Sequence, residues 1–267
     1  MCLPKLYFLV ILLCASFSLL PAAFAIQPAS YAFLVTGKLN GPATNASQSL
    51  AIIGSIRLDG KGIGGGYETI NSPFGVVQNE SITAVYTDHY NGTIDLVLQT
   101  ASGQTQSFSV DQYGDLVYTG PGAVAFGSLR FQDPYAAHTE LSGIYGIGLS
   151  GETACLKLCA YSGHGGGAIS ASAVLAINQR SNPNSQYNVT GTLDATVAST
   201  MVSNQPVTGD YFSTSGVFGL SFSVPDEAVD LPRNFAIVPI DSSSFLMMSV
   251  DPHTTSALVT GGGSLHR

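Results

Sequence analysis

The chain has no tryptophan, and only 10% of its 267 residues are charged. Nine residues are Lys or Arg against 17 Asp or Glu, giving a net charge of −8. The few cations form no cluster. This argues against nucleic-acid partners, which require Lys and Arg to neutralise phosphates, and against an anionic membrane surface. Helical signals are also scarce: no window longer than about ten residues keeps an apolar i, i+3, i+4, i+7 stripe with caps. Metal chemistry is poorly supplied. The five histidines show no H-x-x-x-H spacing, and the aspartates form no dense calcium loop. No cofactor or metal site is expected.

Residues 1–25 read as a secretory signal peptide. Lys5 gives a short positive region, Leu6 to Leu20 an apolar core, and Ala23-Phe-Ala25 a small-residue cleavage pattern. The apolar run falls short of the roughly 20 residues that span a bilayer. The expected location is secreted, periplasmic or cell-surface. Of the four cysteines, Cys155 and Cys159 lie beyond this segment. An oxidising compartment makes a disulfide the default for such a pair. On one extended strand they would stand about 13 Å apart, beyond disulfide reach, so bonding requires a turn between them.

Short alternating apolar runs fill the rest, among them Ser107–Asp111, Ile94–Leu98 and Val217–Phe222. Turn signals such as Asp59-Gly60, Asn91-Gly92 and Tyr113-Gly114 separate them. Such spacing predicts an all-β sandwich or barrel. The chain also repeats itself. Tyr31-Ala-Phe matches Tyr145-Gly-Ile, Ile63 to Asn71 matches Ile169 to Asn178, and Ser81-Ile-Thr-Ala matches Asn188-Val-Thr-Gly. Phe108–Asp111 matches Val238–Asp241, and Gly127-Ser-Leu matches Gly263-Ser-Leu. In this alignment the first half has the longer early loop (41–49), the second the longer middle loop (198–209), and Lys61 shares a turn with His164. About eight strands per half predict two tandem antiparallel up-and-down barrels, at 26–132 and 141–267, joined by a linker at 133–140. The Tyr31 strand should pair with Gly127–Phe131, and the Tyr145 strand with Gly263–Leu265. The alternative is one sandwich built from both halves.

The Tyr-Ala-Phe opening, the Asp59-Gly-Lys-Gly-Ile-Gly-Gly-Gly66 segment, Asn71 and the Thr-rich strand that follows resemble a group of duplicated secreted proteins of environmental bacteria, acidobacteria especially. These are similar to lipocalin- or avidin-like barrels. The resemblance implies fold and export, and it carries no catalytic residues.

Motifs that suggest enzymes fail on context. Gly60-Lys-Gly-Ile-Gly-Gly65 fits a dinucleotide fingerprint, but a strand-like segment follows it where a helix is required. His164-Gly-Gly-Gly167 resembles a hydrolase oxyanion segment, yet no serine sits in G-x-S-x-G. Asp59 and Asp111 suit turns. Tyr67, Tyr86, Tyr118 and Tyr187, on expected strands, are the candidate ligand-binding residues, with core packing as the alternative. The expectation is a non-enzymatic exported barrel that binds a small apolar molecule, with an unknown small molecule or envelope component as partner. The alternatives are an adhesive envelope module with filled barrels and a secreted hydrolase.

Overall fold

A computed structural model describes residues 27–40, 48–89, 91–136, 141–153, 168–178, 187–197, 200–214, 217–223, 231–251 and 257–265. Each half closes on itself as an antiparallel barrel of eight consecutive strands. The first comprises β1 (Ala29–Leu39), β2 (Ser49–Leu58), β3 (Ile63–Ser72), β4 (Gly75–Asp88), β5 (Ile94–Thr100), β6 (Thr105–Val110), β7 (Asp115–Tyr118) and β8 (Ala123–Gln132). The second comprises β9 (Gly143–Thr153), β10 (Ala168–Asn178), β11 (Tyr187–Val197), β12 (Thr200–Thr214), β13 (Val217–Ser223), β14 (Asn234–Pro239), β15 (Ser244–Ser249) and β16 (Ala257–Leu265). The closing pairs are those expected: Tyr31 lies opposite Phe131, and Tyr145 opposite Leu265.

Alternation along each strand sorts the side chains. In the first barrel Phe33, Val35, Ile52, Ile56, Leu96, Leu98 and Phe108 point inward and are buried. At one end, short turns are held by aspartate. Asp59 Oδ1 accepts the Lys61 and Ile63 N–H groups at 2.7 and 3.0 Å. Asp111 Oδ1 does the same for Tyr113 and Asp115. Those N–H bonds hold the exposed Asp59 carboxyl below its usual range. The Gly60 turn leads directly into β3, so the glycines serve a hairpin.

The outward residues of β1 and β2 do not all meet water. Ala32, Ala51 and Ile53 pack against Ala236, Val238, Met248 and Leu258 of the second barrel, forming a third buried cluster between the barrels. Polar bridges flank it. Gln132 accepts Ser55 Oγ at 2.7 Å and donates to the Pro239 carbonyl at 2.6 Å. Asp133 N–H donates to the Ile240 carbonyl. Toward the other end, Asn71 Nδ2 donates to the Ser249 and Asp251 carbonyls, both at 2.9 Å. Turn-end residues therefore meet turn-end residues, and the ends bearing Asn71 and Asp251 lie together. The barrels stand side by side with their mouths facing the same way.

The internal repeat differs from the sequence alignment in its middle. By strand order β10 is the counterpart of β2, not β3, so the matches of Ile63 with Ile169 and of Ser81 with Asn188 slip by one strand. Lys61 lies between β2 and β3, whereas His164 falls between β9 and β10, so they do not share a turn. The early connection is longer in the second half, from 153 to 168 against 39 to 49, and most of 198–209 is strand β12. The closing match is off by two residues. Gly127 pairs with Val35, and Gly261 with Leu149, the residues four beyond Tyr31 and Tyr145. A Cβ on either glycine would strike the neighbouring strand, on the Leu34 or the Gly148 carbonyl. Ile-Gly-Asn spacing recurs in any glycine-rich hairpin, so it cannot fix register.

A bulge does fix it. The β3–β4 ladder shifts between Glu68 and Ile70, and the β11–β12 ladder between Leu193 and Ala195. Each bulged strand carries an asparagine in the left-handed region, Asn79 at φ 60° and Asn204 at φ 53°. Each asparagine N–H donates to a side-chain oxygen ten residues earlier, Thr69 Oγ1 at 3.1 Å and Asp194 Oδ1 at 2.6 Å. The equivalence is therefore Glu68 with Leu193.

Because the seam buries apolar groups from both barrels, it couples their unfolding. Differential scanning calorimetry is expected to show one cooperative transition for the native chain. Ile53→Asp, which places an unpaired charge in the seam, should lower it and split it in two. A single unshifted transition in that variant would show that the seam contributes nothing.

Candidate functional site

The mouth end of the first barrel is hollow. A cavity of about 280 Å³ opens there, walled by Leu39, Leu50, Ile52, Ile70 and Ala123, with Phe74 and Pro121 at the rim and Tyr118 and Gln106 deeper on one side. Its volume lies near the lower end for small-molecule pockets. An apolar cavity of about 150 Å³ already accommodates benzene.

Alternation places an unexpected pair inside. Glu68 lies opposite Gly54 on β2, between the inward Gly66 and Ile70, and is wholly buried. Gln106 is the first inward residue of β6 and is 6% exposed. Gln106 Nε2 donates to Glu68 Oε1 across the barrel at 2.6 Å. That one bond leaves Glu68 Oε2 and Gln106 Oε1 buried without a hydrogen-bond partner. Burial pushes the Glu68 carboxyl up to about 7. The bond from Gln106 opposes this, and the negative charge of Glu80, opposite it on β4, adds to it. Glu80 is held by the Ser102 N–H at 2.7 Å.

The second barrel has carbon at the bulge, where Leu193 replaces Glu68. Its ladder register makes Phe235 the counterpart of Phe108, and the place of Gln106 falls two residues earlier, at the exposed Arg233 just ahead of β14. Tyr145, Tyr187, Tyr211, Phe218, Phe235 and Phe245 fill its interior, Tyr211 stacking on Phe218 with centroids 5.5 Å apart.

The four tyrosines fall in different environments. Tyr118 lines the first cavity and packs edge-on to Phe108. Tyr86 is inward but sits toward the closed end, its N–H donating to the Gly62 carbonyl. Tyr187 belongs to the second barrel's core, edge-on to Tyr211. Tyr67 is a correction: it lies on the outer face, 41% exposed, because it pairs with Ser55 and Ser81, which alternate with the inward Ile56 and Ile82. Cys155 and Cys159 lie outside the described residues. Among the described residues no group of three or more His, Cys, Asp or Glu could hold a metal ion. His89 pairs with Asp95 at 2.7 Å on the surface. Sequence reasoning missed Glu68 and Gln106, although a carboxylate at an inward position of an otherwise apolar barrel strand was the available signal.

A second cleft of about 320 Å³ lies between the barrels, lined by Thr36, Lys38, Ser49, Ser150, Glu152 and Leu258 among others. Its charged groups satisfy each other: Lys38 pairs with Glu152 at 3.1 Å, and Ser49 Oγ donates to Glu152 at 3.0 Å. The barrel mouth differs in holding buried polar atoms left without a partner. No protein-family model matches the chain, and no curated protein matches its sequence.

Folding raises the Glu68 pKa from 4.5 to about 7, so the folded state binds the proton more tightly than the unfolded chain. Its contribution to stability is complete below pH 4.5 and is lost as pH rises to about 7, up to about 3 kcal/mol for a shift of this size. Urea unfolding of the native protein should therefore give lower stability at pH 8 than at pH 5. Glu68→Gln should flatten that difference and stabilise the protein at pH 8. An unchanged pH slope in the variant would rule out Glu68 as its source.

Proposed function

We propose that this protein is exported and non-enzymatic, and that it takes up one small, largely apolar molecule in the mouth of its first barrel. The contrast between the barrels carries the reading. Two copies of one backbone plan differ at the matching bulge position: Glu68, bonded to the cavity-lining Gln106, in one, and Leu193 in a packed core in the other. Unpaired buried polar groups cost stability, and a leucine at the bulge avoids that cost, as Leu193 does. A ligand site explains why the first barrel retains them. Export rests on the 1–25 segment, and the resemblance to duplicated secreted barrels agrees with it. The second barrel acts as a packed support, fixing β1 and β2 of the binding barrel through the seam.

A second reading, an adhesive envelope module, draws on one observation. Val117, Val124 and Phe126 stand exposed on the outer face of β7 and β8, with Val117 opposite Phe126. On that reading the outer strip makes the contact and the cavity is incidental.

The lack of tryptophan makes the test simple. Indole added to the protein should show a saturable blue shift of its own emission on entering the cavity. Ala123→Phe, which fills the mouth from β8, should abolish the shift while circular dichroism stays native. Equal indole binding by the variant would place the ligand elsewhere, and no binding by the native protein would favour the adhesive reading.

A further inference from the structure

We infer that the molecule held in the first barrel carries a primary amino head group, bound as the ammonium ion between Gln106 Oε1, on the cavity wall, and Oε2 of Glu68, which is hydrogen-bonded to Gln106. This rests on the carrier reading and adds the ligand's chemical class. The inference starts from the hydrogen-bond inventory. Both orphaned atoms are acceptors when Glu68 is ionised, and both are buried. The one donor between the two side chains, Gln106 Nε2, is already directed at Glu68 Oε1. Among the described residues no Lys, Arg or His pairs with either. A carboxylate ligand would bring further acceptors and a second negative charge. An alcohol brings one donor for two acceptors. An ammonium brings three donors, enough for both oxygens, and the positive charge that a buried carboxylate lacks.

Electrostatics agree. The groups facing Glu68 from the neighbouring strands are Gly54 on β2, Glu80 on β4 and Gln106 on β6. Glu80 adds negative potential on the same wall, which favours a cation. Gly54 adds no polar group, and the Phe33 ring covers it, where a Cβ would meet that ring at 2.5 Å. In the unliganded protein a proton on Glu68 supplies the missing donor, and an ammonium replaces that proton. Leu50, Ile52 and Ile70 form an apolar wall that suits a small hydrocarbon body such as a substituted benzene ring.

Isothermal titration calorimetry with benzylamine, benzyl alcohol, benzoate and toluene separates the possibilities. At pH 8 the native protein should bind benzylamine roughly tenfold or more tighter than toluene or benzyl alcohol, the difference expected of hydrogen bonds to charged groups. Benzoate should bind weakest. Benzylamine affinity should fall at pH 5, where Glu68 keeps its proton, while toluene affinity stays constant. Glu68→Gln should remove the amine preference and the pH dependence and leave toluene binding intact. Gln106→Leu should weaken benzylamine selectively and serves as the second variant if the first does not fold. Toluene binding with equal or stronger binding of benzoate or benzyl alcohol would overturn the amine assignment and leave the carrier reading standing. No binding of any of the four compounds would overturn the carrier reading itself.

Discussion

Pairing of the first strand of each half with its eighth is the constraint on which everything else depends. An open eight-stranded sheet has two sides of equal standing, and its edges invite further strands. Once β1 closes on β8 and β9 on β16, one side of every strand becomes an interior and the other an exterior. The period of two then decides the fate of each residue. Ile52 and Ile56 enter the first core, and Ile53 between them enters the seam. Without closure there is no cavity, no distinction between Tyr67 and Glu68, and no reason for a carboxylate to be buried.

The two barrels show how one backbone plan supports different interiors. Both keep the bulge on the fourth strand, with an asparagine in the left-handed region tied back to the third. Bulges bend a strand and redirect its side chains. In the first barrel the residue beside the bulge is Glu68, joined to Gln106 by one short hydrogen bond; in the second it is Leu193, packed within the aromatic core. The stability cost of two unpaired buried oxygens is therefore confined to one copy. The other copy, rich in buried rings, contributes packing and, through Ala236, Val238, Met248 and Leu258, a firm wall behind β1 and β2.

Much of this architecture was legible in the sequence. Alternation, turn residues and the two opening and closing strands suffice for two eight-stranded barrels and for the closing partners Tyr31 and Tyr145. The Asp59 and Asp111 turns were equally plain, because an aspartate two residues before a free N–H is a local device. Register between the copies was not legible from glycine spacing, since glycines recur wherever strands approach closely. The dependable mark was the polar residue ten positions before an asparagine, at Thr69 and Asn79 and again at Asp194 and Asn204. The site was partly legible. Tyr118 lines the cavity as its strand position suggested, whereas Tyr67 faces outward because one residue of phase inverts a strand. Glu68 and Gln106 could not be paired by sequence, as 38 residues and three strand boundaries separate them.

The binding reading rests on one matched position: Glu68, bonded to Gln106 beneath a hollow mouth in the first barrel, against the buried Leu193 in the second. Diffraction from a xenon-pressurised crystal reads this directly, because xenon enters apolar cavities without needing a head group. A xenon peak is expected bounded by Leu50, Ile52, Ile70 and Ala123, with no peak beside Leu193. Xenon beside Leu193, or none within the first barrel, would contradict that reading.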